Sequence, residues 1–207
     1  MLFATTGIRR SEVAGLRTVD LDLTAARVSP MMPRVLVDHE VVISEPKSRA
    51  GRRYLALDPA TVAALREHLV IQDAERQFVG ARYMDSGLLF TWPDGRPIHP
   101  ARFSDWFQQH VVRAGLPRIT LHGLHHCYAT AALKAGVPVK VISERLGHAT
   151  VAITLDIYSH VIPGMDELAA HTVADLILGD DGDNRTMNRP IDNPLTTEPT
   201  APRGERR

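Results

Sequence analysis

A single cysteine, Cys127, stands among the 207 residues. No internal disulfide and no cysteine zinc cluster can form from it, which favours a reducing compartment. No apolar run approaches the ~20 residues that a membrane-spanning helix needs. The first residues also lack the charged, apolar and small-residue succession of a secretory signal. Excess charge is missing too: 24 Lys and Arg are matched by 24 Asp and Glu. Composition alone therefore gives no reason to expect a nucleic-acid partner, and any such case must come from local patches. No internal repeat is visible. These absences predict a soluble cytoplasmic protein. What is present is ordinary globular usage, 44% hydrophobic and 23% charged, which excludes wholesale disorder, coiled coil and collagen. The length suits one domain with a core, or one domain and a tail.

Residues 179–207 are polar and proline-studded, without periodicity, so burial cannot repay the entropy of ordering them. We read 1–178 as one folded domain and 179–207 as a disordered polar tail. The chain opens directly on Leu2, Phe3 and Ala4 with no cap, as the last turn of a helix whose earlier turns are missing. A short helix is expected over 11–16, with Ser11 as its cap and Val13 and Leu16 on one face. Residues 35–44 and 53–57 are aliphatic and β-branched runs joined through 45–52. That predicts a hairpin whose tip carries Lys47, Arg49, Arg52 and Arg53. From Pro59 to about Phe78 the period is helical, capped by Asp58, and 100–114 is an amphipathic helix ending at Gly115. A strand-like stretch at 118–121 precedes helical stretches at 122–134, 138–146, 151–158 and 165–178. The fold class expected is α+β, mostly helical with one small antiparallel sheet. Trp92, Trp106 and Phe107 are assigned to the core and Cys127 to a buried apolar face.

The polar residues form three blocks far apart in sequence: TTGIRRSE near the start, PKSRAGRR on the hairpin, and HGLHH, LGH and TLDIYSH near the end. Singly, each has a plain explanation: a solvated helix start, a soluble hairpin tip, a half-buried tyrosine. His122, His125 and His126 suggest a metal, and His122 and His126 stand four apart, yet no carboxylate ligand of the zinc-helix type stands beside them.

Their order, however, resembles the tyrosine recombinases of the phage integrase family. TTGIRRSEVAGLR is similar to the family's TGxRxSELxGLR segment, placing Arg9 on the first catalytic arginine and Glu12 on its supporting acid. PKSRAGRRYLAL is similar to the KxxxxRxxPL hairpin, placing Lys47 on the catalytic lysine. HGLHH falls on the HxLRH box, with His122 on the first histidine, His125 on the second arginine and His126 on the last histidine. LGH brings His148 to the His/Trp position, and Tyr158 lands on the nucleophile. The resemblance covers about residues 2–178. It implies a tyrosine that attacks a DNA phosphodiester and conserves its energy in a 3′-phosphotyrosyl bond, without ATP, metal or other cofactor. Arg9, His122 and His148 would stabilise the pentacoordinate phosphate, and Lys47 would protonate the departing 5′-oxygen. Double-stranded DNA is the implied partner, with no membrane, no small-molecule substrate and nucleoid association when bound. Arg10, Arg49, Arg52, Arg53, Lys140 and Arg145 are the implied backbone contacts, with Arg17, Arg102, Arg113 and Lys134 as further candidates. The helix over 165–178 could dock on a neighbouring protomer in a DNA-bound tetramer, or pack in cis.

Three departures set expectations for activity. His125 stands where the family has an arginine, and a mostly neutral imidazole cannot make the two-point grip of a guanidinium. Gly123 replaces the acid usual after the first histidine and adds backbone freedom. The resemblance begins at the first arginine's own helix, and we expect no counterpart of the family's N-terminal DNA-clamping domain and a low, salt-sensitive affinity. The competing readings are a degenerate DNA-binding fragment without chemistry and a histidine-cluster metallohydrolase.

Overall fold

The computed structural model describes residues 1–44, 53–158 and 165–178; within these, the side chains of 156–158, 165–169, 172 and 178 are not described. Two compact units are distinguished, Met1–Ile162 and Pro163–Arg207.

The first unit opens with α1 (Leu2–Thr6), stopped by Gly7 in the left-handed region at φ 66°. The turn releases the chain into α2 (Arg10–Ala14), whose cap is Arg9 rather than the expected Ser11. Glu12 reaches back to accept the Arg9 N–H at 2.8 Å, replacing the hydroxyl cap that the pattern suggested. Two short strands, β1 (Leu21–Asp22) and β2 (Arg27–Val28), follow, then β3 (Arg34–Val37) and β4 (Glu40–Ile43), and finally β5 (Leu55–Ala56).

Here the structure differs from the expected hairpin and from the single sheet. Residues 34–43 fold back on themselves, Val35 opposite Val42, while β5 pairs with β2, giving a three-stranded sheet of order β1-β2-β5 and a separate two-stranded one. The cause is local: Asp38 and His39 both take positive φ, 48° and 68°, the two-residue turn whose twist suits a hairpin. An Asp-His pair is a weak signal for that turn.

α3 (Pro59–Val79) matches its pattern, with Asp58 accepting from the Thr61 N–H at 2.9 Å and its hydroxyl at 2.6 Å, and Pro59 in the first turn. Its Val62 and Leu65 close a core with Ile8, Leu16, Val28, Leu55 and Leu89. α4 (Pro100–Arg113) packs on α2, α5 (Leu121–Lys134) on α1, and α6 (Val139–Leu146) lies between α5 and α7 (Val151–Tyr158). A second core of Ala129, Ile142 and Leu146 joins α5 and α6. Residues 118–120 form no strand; Thr120 instead caps α5, its hydroxyl accepting from Gly123 N–H at 2.9 Å. Cys127 is exposed, not buried, because the buried face of α5 runs through Leu121, His125 and Ala129. Trp92, Trp106 and Phe107 are half-buried, and the two indoles meet edge to face at 5.5 Å.

In the second unit α8 (Met165–Leu178) exposes Val173, Leu176 and Ile177. The polar tail assigned to 179–207 lies outside the described residues. No helix among the described residues is long and apolar enough to cross a membrane.

Candidate active site

Three local structures converge where α2, the end of α6 and the start of α5 meet. The first is the Arg9–Glu12 turn. Glu12 is 4% exposed, and Arg53, from the segment leading into β5, is 8% exposed. Arg53 donates from both terminal nitrogens to Glu12 at 2.8 and 3.0 Å, and from Nε to the Arg145 carbonyl at 2.7 Å. Arg9 donates to the Gly147 carbonyl at 3.0 Å and more weakly to Glu12 at 3.4 Å. Burial pushes the Arg9 pKa down, Glu12 opposes that shift and the neighbouring Arg53 adds to it. Arg53 was expected on an exposed basic tip; a carboxylate 41 positions away in sequence pulls it inside instead.

The second is the left-handed cap of α6. Gly147 sits at φ 67°, and a Cβ there would lie 2.6 Å from Arg53 Nη1 and 3.2 Å from Arg9 Nη1. Only glycine lets the carbonyl reach Arg9 and both guanidiniums close around the turn. The next residue, His148, is buried at 9% exposure, with Nδ1 2.8 Å from the Thr154 hydroxyl of α7.

The third is the first turn and a half of α5. His125 is 5% exposed, its Nδ1 2.5 Å from the Gly7 carbonyl. A carbonyl only accepts, so Nδ1 carries the proton and a neutral ring presents a lone pair at Nε2. Burial drives the His125 pKa down to about 4, aided by Arg9, His148 and His126 and opposed by the bond to Gly7. The exposed His122 stacks on it, centroids 6.1 Å apart and planes within 10°, and its Nε2 is 2.9 Å from that of His126. His126 is shifted down by burial and His122, and His148 by burial, Arg9, His126 and Arg53. Near neutral pH the His125 ring is uncharged.

Arg9, His122 and His125 open on a cleft of about 750 Å³ that Arg10, Arg34 and Arg118 also line. Arg10 is held by the Ser104 hydroxyl at 3.0 Å, and Arg34 donates to the carbonyls of Ala14 and Ile98. Sequence reasoning missed Arg34 and Arg118. Arg118, two residues before the Thr120 cap, was legible as a cation flanking the histidine box; Arg34, inside a β-branched run, carried no such signal. A second cleft of about 830 Å³ lies beyond His148, and Lys140 and Arg145 line it. Arg145 also donates to the Ala56 carbonyl at 2.7 Å and lies over the Tyr128 ring. Arg17 and Arg102 are tied to Asp20 and Asp105. Lys47, Arg49, Arg52 and His160 lie outside the described residues; Tyr158 is the last residue of α7, and its side chain is not described. Among the described residues no three His, Cys, Asp or Glu side chains are placed to hold a metal ion.

The arrangement offers fixed cationic and imidazole groups around a concave, arginine-lined surface, which suits an anion such as a phosphodiester. Comparison with known proteins agrees in kind. The phage integrase family model matches residues 1–164. A tyrosine recombinase XerC-like protein of Caldanaerobacter subterraneus subsp. tengcongensis is 31% identical over 185 residues, 84% of this chain and 47% of that protein. An integrase of Saccharopolyspora erythraea is 37% identical over 116 residues, 56% of this chain and 26% of its own. Among solved structures, the Tn1549 transposon integrase in complex with transposon right end DNA superposes with a TM-score of 0.69 at 20% identity, over 86% of this chain and 57% of that one. The XerA recombinase gives 0.62 at 23% identity, over 83% and 55%. The chain thus spans about half the length of the relatives it matches most fully.

Proposed function

Because the chain belongs to the phage integrase family, we propose that it is the catalytic domain of a site-specific DNA recombinase, acting in integration or excision of a mobile element. The Tyr158 oxygen attacks a DNA phosphorus; the Oη–P bond forms, the bond from phosphorus to the 5′-oxygen breaks, and the strand is held as a 3′-phosphotyrosyl ester. His122 takes the phenolic proton and Lys47 supplies one to the departing 5′-oxygen. Arg9 and His148 hold the non-bridging oxygens. Reversal by a second strand's 5′-hydroxyl rejoins the duplex with no net change in bond type. The Arg9–Glu12–Arg53–Gly147 cluster carries this reading: it fixes a guanidinium beside a cleft with His122 and His125 at its wall.

Arg10, Arg118, Lys140 and Arg145 contact the duplex backbone, as do Arg49 and Arg52. The protein is soluble, cytoplasmic and nucleoid-associated when bound, and it works as a tetramer that α8 joins. The second reading, a DNA-binding chain with little or no chemistry, is favoured by one observation: His125 gives its Nδ1 proton to Gly7 and faces the site with a lone pair where the reaction needs a donor.

A nicked half-site carrying a 5′-bridging phosphorothiolate removes the need for a leaving-group acid, and a library of junction sequences covers the unknown target. A covalent adduct on a denaturing gel that disappears in Tyr158→Phe is the expected result. Its absence from the native chain and from His125→Arg alike would leave the binding reading standing.

A further inference from the structure

We propose that Arg53 is a positioning residue of this site: by taking up the Glu12 carboxylate, it leaves the Arg9 guanidinium charged, unneutralised and facing the cleft. Glu12 has one negative charge and two arginines within reach. Arg53 takes its two oxygens at 2.8 and 3.0 Å in a fork, and Arg9 is left with a long approach of 3.4 Å. Arg9 is instead steered by a neutral acceptor, the Gly147 carbonyl at 3.0 Å. The trio thus carries one net positive charge, and it sits on the arginine that lines the cleft. Arg53 itself is held by the Arg145 carbonyl, its guanidinium lies where a Cβ on Gly147 would sit, and its own carbonyl accepts from the Ser29 hydroxyl. Only 8% exposed, it touches the second cleft at its edge, but its three guanidinium nitrogens are all engaged, and it acts on Arg9 through Glu12. With Arg53 removed, Glu12 is left buried without a counter-ion, and Arg9 is the cation within reach to collapse onto it.

The proposal rests on Arg9 serving as a phosphate clamp, but its core is testable without DNA. The probe is the ¹⁵N–¹H signal of the Arg9 Nε in the full chain, recorded for native protein, Arg53→Met, and Arg53→Met with Glu12→Gln. Arg53→Met is expected to move the Arg9 signal as Glu12 captures it. The double variant, with no carboxylate left to do so, is expected to bring it back toward the native position. If Arg53→Met does not fold, Arg53→Lys carries the test, because a one-point ammonium cannot occupy both carboxylate oxygens and should move the signal in the same direction. An Arg9 signal unmoved in a folded Arg53 variant, or moved and not restored in the double, overturns the proposal. Titration with inorganic phosphate separates this from the wider reading. Once Glu12 occupies Arg9, phosphate forgoes one charge-assisted hydrogen bond, so the half-saturating concentration at Arg9 should rise about tenfold in Arg53→Met and recover in the double variant. Phosphate that leaves Arg9 untouched in the native chain would instead sink the clamp, and with it the functional role claimed for Arg53.

Discussion

The two walls of the cleft meet the same demand, holding an anion, in opposite ways. On the α2 wall, every buried charge of Arg9, Glu12 and Arg53 has a bonded partner. On the α5 wall, His125 is equally buried but has a carbonyl and other imidazoles around it and no counter-ion, and its ring is driven neutral with a pKa of about 4. Burial preserves charge where a counter-ion comes with it and removes charge where none does. One wall is a preorganised clamp and the other a weak partner.

Breaking the strong wall has the largest expected effect. Glu12→Ala strands the Arg53 guanidinium inside, and we expect a loss of about 3–5 kcal/mol in urea unfolding, the cost of an uncompensated buried charge. Strengthening the weak wall comes next. His125→Arg restores a fork-shaped donor and should raise the rate of covalent adduct formation by about 10²–10³, or about 3–4 kcal/mol of transition-state stabilisation. The neutral wall also responds to acid. The folded chain disfavours the His125 imidazolium and the unfolded chain does not, so stability is complete above the ordinary pKa of 6.5 and falls as pH drops toward about 4. A decline of about 1–2 kcal/mol over that window, reduced in His125→Gln, would be seen in pH-dependent unfolding curves. The smallest effect lies outside the cleft: Asp58→Ala removes the cap of α3 and should cost about 1 kcal/mol while leaving adduct rates unchanged.

Much of this contrast was legible in the sequence, and the limits are physical. α3 and α4 announce themselves through Asp58, Pro59 and Gly115, and α7 and α8 through their period, so their bounds follow closely. Arg9, Glu12 and the histidine box are readable because their order along the chain, not any single block, is specific. Arg53 was not readable as a buried ion. In sequence it is one more cation in a basic run, and the long-range approach of Glu12 that pairs with it is not written there. The tautomer of His125 likewise depends on the Gly7 carbonyl, 118 positions away. The hairpin of β3 and β4 was missed because its turn, Asp38 and His39 at positive φ, lacks the glycine that marks a two-residue hairpin in sequence. Cys127 was assigned to the wrong face of α5, since it lies two positions from both His125 and Ala129, about 200° around the helix from the covered face.

The most direct test of the account is to identify the residue joined to DNA. His125→Arg protein is reacted with the phosphorothiolate half-site, digested, and the linked peptide sequenced by tandem mass spectrometry. The account predicts a phosphodiester on Tyr158 and no linked peptide in the Tyr158→Phe companion; DNA attached to another residue, or an adduct that survives that substitution, would contradict it.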